Sequence, residues 1–211
     1  LIGWGLFKKV VIADNIEPIV GYTFTNDVEG GLFTSLVGLY SFSLQLFCDF
    51  SAYTDIAIGS ALLFGVRLIQ NFQDPYYAVS IREFWTKWHI SLTSWFTDYV
   101  YYPICLNRKF RISPVAGIII VFTLSWFWHG ANWTFVVWGV FHGVLLALEQ
   151  KLRIEKRLSN GFIVRWLRRI IVFNLVSLSW IFFRSSDFTQ SWNIIGRFTD
   201  LTIYQHDVYQ L

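Results

Sequence analysis

Residues 113–148 read SPVAGIIIVFTLSWFWHGANWTFVVWGVFHGVLLAL, a run without a single Asp, Glu, Lys or Arg. Two apolar stretches, 113–128 and 131–148, meet at His129-Gly130, and each is near the length a helix needs to enter or cross a hydrocarbon core about 30 Å thick. Lipid offers backbone N–H and C=O groups no partners, and barrel strands would alternate apolar with polar residues, so both stretches are expected to be helical. Outward from them, Arg108, Lys109 and Arg111 precede the pair, and Lys151, Arg153, Lys156, Arg157, Arg165, Arg168 and Arg169 follow it. Two crossings return a chain to its starting side, so the excess of basic residues at both ends places them in the cytoplasm.

Further apolar stretches occupy 31–48 and 170–183, and a shorter one, 56–66, follows Asp49 and Asp55. Of the 211 residues 55% are hydrophobic, 20% aromatic and 15% charged, against roughly 25% charged in soluble domains. This balance excludes a soluble domain and a disordered chain. The expected class is all-α, a polytopic transmembrane bundle with re-entrant or interfacial helices, forming one membrane-embedded domain over 1–211. The opening LIGWGLFKKVV carries no signal peptide and the chain has no Met, so the sequence reads as an internal or truncated piece of a longer chain. Cys48 and Cys105 show neither zinc spacing nor a disulfide framework.

Residues 71–77, NFQDPYY, read as a loop around Pro75. Ser80 and Glu83 then have capping-box spacing and open a segment, SIREFWTKWHISLTSWFTDY, with Phe84, Trp88, Leu92 and Trp95 on one helical face. One continuous helix is expected here. Either it lies in the headgroup region, anchored by Trp85, Trp88 and Trp95, or it packs against the bundle.

Histidine in an apolar segment is costly and marks function or a buried partnership. His129 can serve as a general base, its neutral imidazole taking a proton from a hydroxyl, or it can bond across helices as a structural group. His142 lies about 140° around a continuous helix from it, which disfavours a metal site built from the pair and makes His142 structural. His89 can bind a headgroup or assist His129; His206 has no apolar context and receives no role. Asp49 and Asp55 are about 240° apart on a helix, so they form no facing dyad and are expected to bond polar groups on neighbouring helices, such as Arg67 or a Trp N–H. No nucleotide loop, nucleophile elbow or zincin motif occurs, and the basic cluster of 149–169 suits anionic lipid or a cytoplasmic surface rather than nucleic acid.

The blocks CDFSAYTDIAIG, NFQDPYY, SIREFWTKWHISLTSWFTDYVYYP and WFWHGANWTFVVWGVFHG, in this order, resemble the bacterial membrane-bound O-acyltransferases, most closely those of the alginate O-acetylation type. The resemblance runs from about Gly5 to about Arg184. It implies a multi-pass enzyme of the bacterial plasma (inner) membrane that passes an acyl group from a cytoplasmic thioester donor, acetyl-CoA or another acyl thioester, to an acceptor outside. By the same resemblance His129 in the WHG block is catalytic and His89 in KWHISLT lies along the same tunnel, with Lys87 where the family pattern has Arg. A helical N-terminal part typical of the family is absent from this sequence. Trp88, Trp128, Asn132 and Asp55, which stand in these blocks, are the candidate substrate-binding residues, and the catalytic part is expected over about 45–150.

The expected function is O-acetylation of an exported cell-envelope polysaccharide, with no metal and no bound cofactor. The expected partners are membrane lipid, the thioester donor and an extracytoplasmic acyltransferase or polysaccharide acceptor; nucleic acid is not among them. D-alanyl transfer to teichoic acid is the alternative within the same fold. A proton-coupled transporter and a scaffold of an export complex are the alternatives outside it.

Overall fold

The computed structural model describes residues 1–25, 30–107, 112–130, 132–152 and 161–202, and for 126–128 the backbone alone. Much of the two basic clusters, at 108–111 and 153–160, lies outside the described residues, as do Ala131 and His206. The described chain is built of helices, with one isolated bridge between Phe72 and Trp88. Among the described residues three helices are long and apolar enough to cross a membrane: Leu32–Leu63, Trp133–Leu152 and Phe162–Arg184. The chain divides into two compact units, Leu1–Ile69 with Trp180–Leu211, and Gln70–Ser179.

In the first unit α1 (Ile2–Leu6), a π-type turn (Phe7–Ala13) and α2 (Asp14–Thr23) pack on α3 (Leu32–Leu63). Gly5 meets α3 so closely that a Cβ there would strike the Ala52 carbonyl and Ile56. The sequence separates 31–48 from 56–66 because two carboxylates interrupt the apolar run, whereas the structure joins them in one helix of 32 residues. The reason lies in the partners: Lys9 Nζ is 2.7 Å from Asp49, and Lys8 Nζ is 2.9 Å from Asp55 and donates to Ser51 Oγ at 2.8 Å. Arg67 and the indoles take no part in these pairs. At α3, about 1.5 Å per residue gives a length near 48 Å, beyond the apolar core alone. Later in the chain α10 (Phe188–Arg197), in the same unit, places Arg197 against the end of α2, donating to the carbonyls of Thr23 at 2.9 Å and Thr25 at 2.8 Å.

The second unit begins with the expected loop, where Asp74 takes a left-handed backbone (φ 48°) before a short turn at Pro75–Tyr77. The Ser80–Glu83 cap forms, with the Glu83 amide donating to Ser80 Oγ at 3.0 Å and the Glu83 carboxylate accepting from the Val79 amide at 2.7 Å. Beyond it the single expected helix is absent. α4 (Ile81–Lys87) and α5 (Ile90–Phe96) are separated by an extended Trp88 and a left-handed His89 (φ 44°). The preceding loop causes the break: Phe72 bridges Trp88, Gln73 N–H donates to the Lys87 carbonyl at 3.1 Å, and Asn71 receives the amides of Ile90 and Ser91 at 3.1 and 3.0 Å. A π-type turn (Thr97–Tyr101) and α6 (Tyr102–Leu106) continue from α5.

The interfacial anchoring read from the tryptophans is overturned with it. Trp88 is 5% exposed and Trp85 9%, whereas Trp95 is 50% exposed. Of the three, Trp95 alone remains on an outer face. The first two pack inward because the break at His89 turns the face that would have met lipid into the unit's core.

The remaining helices of this unit are α7 (Pro114–His129), α8 (Trp133–Leu152) and α9 (Phe162–Arg184), the last ending in the first unit. α7 and α8 form an antiparallel hairpin, Gly139 lying against the Phe122 carbonyl and Gly143 against Ile119. Side chains from α8 and α9 hold the start of α4: the Glu149 carboxylate accepts from the amides of Ile81 (2.7 Å) and Arg82 (3.0 Å), and Arg168 Nε donates to the Val79 carbonyl at 2.9 Å. Arg168, read as part of a surface basic cluster, is thus a buried structural residue.

Candidate functional site

α7 ends at His129 and α8 starts at Trp133, with Gly130 at φ 132° directly behind the histidine. That backbone angle lies where side chains are strained, so glycine suits the position. The His129 ring is half-buried and stands edge-on to Trp138 of α8, centroids 5.3 Å apart at 86°, with Phe135 at 6.0 Å. Thirteen residues on, His142 also packs on the Trp138 ring, at 5.3 Å, so one indole stands beside both histidines. Among the described residues, no group of three or more His, Cys, Asp or Glu side chains is arranged to hold a metal ion.

His129 borders a cleft of about 60 Å³ whose walls include Trp85, Phe122 and Trp138, with Thr93, Thr97 and Ser125 as polar members. All three hydroxyls are turned to backbone carbonyls: Thr93 Oγ1 donates to Trp88 O at 3.2 Å, Thr97 Oγ1 to Thr93 O at 2.8 Å and Ser125 Oγ to Phe122 O at 2.8 Å. The imidazole is therefore the titratable group in an otherwise apolar lining.

His89 begins α5, whose next turn supplies Leu92 and Thr93 to the cleft. It lies within electrostatic reach of His129. Burial holds the His89 imidazole below its ordinary value, which favours the neutral ring near neutral pH.

The other candidate residues have partners of their own. Asp55 belongs to the first unit and its carboxylate is paired with Lys8. Trp88 is packed among Phe72 (5.0 Å), Phe84 (5.5 Å) and Tyr76 (5.9 Å) and is not part of the lining of this cleft. Asn132 Oδ1 accepts from the Thr134 amide at 3.1 Å and so starts α8. The Trp128 side chain lies outside the described residues. In their place the structure puts Trp85 and Trp138 at the cleft, residues that the sequence distinguishes from nine other tryptophans by nothing in their spacing.

His142 is fully buried and bonds across helices, as expected of a structural histidine: Trp85 Nε1 donates to its Nδ1 at 3.3 Å, and its Nε2 is 2.9 Å from Ser179 Oγ of α9.

Residues 28–194 match the model of the MBOAT, membrane-bound O-acyltransferase family. The chain is 40% identical over 191 residues to a probable alginate O-acetylase AlgI of Azotobacter vinelandii, covering 90% of this chain and 37% of that protein. A peptidoglycan O-acetyltransferase of Helicobacter pylori is 37% identical over 191 residues, covering 90% of this chain and 36% of its own length. With a teichoic acid D-alanyltransferase of Streptococcus thermophilus the identity is 32% over 178 residues, 74% of this chain and 43% of the relative. The chain therefore spans little more than a third of the length of the first two relatives.

Proposed function

Since the chain belongs to the membrane-bound O-acyltransferase family, we propose that it carries the catalytic histidines of an enzyme that moves an acetyl group from a cytoplasmic thioester to a hydroxyl of an exported cell-envelope polysaccharide, in the bacterial plasma membrane. The observation that carries this reading is His129 in the wall of an apolar cleft, with His89 within electrostatic reach. In the proposed step the neutral imidazole of His129 takes the proton of the acceptor hydroxyl as its oxygen attacks the thioester carbonyl. The C–S bond breaks, the new ester C–O bond remains, and the thiolate leaves and is protonated to the free thiol. His89 orients the acceptor or donates to the developing oxyanion. An apolar lining keeps water from hydrolysing the thioester.

The donor side follows from charge. Lys151 stands in the last turn of α8 and Arg165 and Arg169 in the opening turns of α9, and an excess of basic residues at span ends marks the cytoplasmic side. Acetyl-CoA or another acyl thioester is the proposed donor, used as substrate, with no resident cofactor or metal. An extracytoplasmic acyltransferase or the polymer itself is the proposed acceptor. Acetyl is favoured over D-alanyl by the higher identity to the alginate and peptidoglycan relatives.

The test is His129→Ala in the full-length gene, reading polymer-bound ester by mass spectrometry per unit of membrane protein. Loss of a general base lowers rate by about 10²–10⁴-fold. Near-normal esterification would overturn the mechanism and favour a scaffold role. Loss of D-alanyl rather than acetyl ester would move the substrate to teichoic acid.

A further inference from the structure

The Trp85 indole can only donate, and its Nε1–H points at His142 Nδ1, 3.3 Å away. Nδ1 must therefore carry the lone pair, and the single ring proton of a neutral imidazole sits on Nε2. Nε2–H then donates to Ser179 Oγ at 2.9 Å, and the Ser179 hydroxyl donates to the Val176 carbonyl at 2.6 Å. Every donor in this relay has one acceptor and every direction is fixed. His142 and Ser179 are both buried, the former at 0% exposure and the latter at 1%. A second proton on His142 would set N–H against N–H at Trp85, so the relay operates with the neutral ring alone.

What the relay holds is a wall of the cleft. Trp85 lines the same space as His129. Its ring meets Phe122 (5.1 Å, 68°) and Trp138 (5.7 Å, 72°) edge to face, and Trp138 in turn stands edge-on to His129. His142 touches Trp85 and Trp138 but neither of its nitrogens has a lone pair or proton left for a substrate. It acts through the two indoles.

We propose that Trp85 sets the size of acyl group the cleft admits, and that His142 is the positioning residue that fixes Trp85 through the Ser179–Val176 relay. This rests on the acyl-transfer reading and deepens it: the ligand class is a short acyl chain, bounded by the indole face. A Phe at 85 shortens the wall, and space for added methylenes opens beside His129. An extra methylene in an apolar pocket changes kcat/KM by about 10–200-fold.

The experiment uses the full-length protein in membranes with acetyl-CoA and butyryl-CoA as donors, and compares kcat/KM for the two on the same preparation. A ratio taken on one preparation is insensitive to how much protein folded. Trp85→Phe is expected to raise the butyryl-to-acetyl ratio by about tenfold or more. His142→Leu, which removes the acceptor for the indole, is expected to raise it in the same direction and to raise the KM for acetyl-CoA. His142→Asn, whose Oδ1 accepts from the indole, is expected to restore the wild-type ratio. With Trp85→Phe in place, His142→Leu should add nothing further.

An unchanged ratio in folded Trp85→Phe overturns the proposal, as does His142→Leu with wild-type ratio and KM. Failure of both variants to fold would show that the pair serves the core alone, and overturns it equally. If wild-type protein transfers neither donor, the acyl-transfer reading falls and this one with it; transfer of acetyl with an unmoved ratio leaves acyl transfer standing and refutes only the sizing role.

Discussion

Replacing Lys8 by Met tests how α3 tolerates two carboxylates within an apolar helix. Lys8 Nζ lies 2.9 Å from Asp55 and 2.8 Å from Ser51 Oγ, and the two charged side chains are 10% and 21% exposed. At that separation, an effective dielectric constant of about 20 gives a gross attraction of about 6 kcal/mol. Desolvation offsets most of it, which is why the pair contributes little net stability. Removing one partner is a different matter. Lys8→Met leaves the Asp55 carboxylate in an apolar setting with Ser51 beside it, and breaking a buried pair on one side costs about 3–5 kcal/mol. Partial exposure of both side chains places the expected value at the lower end, about 3 kcal/mol.

Each kcal/mol lowers the melting midpoint by about 2–4 °C in a unit of about 150–250 residues and by less in a larger one, so a drop of a few degrees, at most about 12 °C, is expected. The assay is thermal unfolding of the full-length protein in detergent, followed by loss of the monodisperse peak. Lys8→Met/Asp55→Leu removes both charges and is expected to recover most of the drop, since an apolar pair of similar volume replaces an ion pair at little cost. The reasoning is refuted if Lys8→Met melts with wild type, or if the double variant melts as low as Lys8→Met alone.

Three further outcomes follow from single contacts. Gly139→Ala places a methyl against the Phe122 carbonyl and should cost about 1–3 kcal/mol by overpacking the α7–α8 hairpin, read as a lower melting midpoint; an unchanged midpoint contradicts the close approach. Burial raises the Glu83 carboxyl, but the Lys87 ammonium 2.8 Å away and the Val79 amide outweigh it and hold it below its usual 4.5. A depressed acid stabilises above its unfolded value and loses that contribution as pH falls through the folded one, so Glu83→Gln should flatten the decline in stability below about pH 4.5; equal acid limbs in variant and wild type would refute it. Ser80→Ala removes the acceptor for the Glu83 amide and should lower stability by about 0.5–2 kcal/mol, and a chemical-denaturation midpoint equal to wild type would show that Glu149 alone suffices to cap α4.

Legibility followed physical range. Helix α7, the body of α8 and α9 from Ile170 onward were legible because lipid leaves a charge-free run one way to satisfy its backbone, and the Ser80 cap because its partners are three residues apart. His129 stood out because an ionisable side chain in an apolar run demands a reason. The length of α3 was hidden, since Asp49 and Asp55 look like interruptions until Lys8 and Lys9, about forty residues away or more, are seen beside them. The inward turn of Trp85 and Trp88 was hidden for the same reason, as their apparent helical face depended on a continuity that Asn71, Phe72 and Gln73 remove.

That removal is also what gives His89 its place. An unbroken helix over 80–99 would carry His89 at mid-length on a regular face, one imidazole among ring neighbours at three- and four-residue spacing. A left-handed residue other than Gly costs about 1–2 kcal/mol, and His is among the types that adopt it more readily. The loop meets that cost with main-chain and side-chain bonds from Asn71 to the first amides of α5. Those same amides would otherwise be unpaired at a helix start. One short loop therefore ends α4, caps α5 and turns the chain at His89, so that α5 carries Leu92 and Thr93 into the cleft while His89 stays within electrostatic reach of His129. The two histidines are forty residues apart in sequence, and a loop with no charged side chain but Asp74 fixes the turn that holds His89 within electrostatic reach of His129.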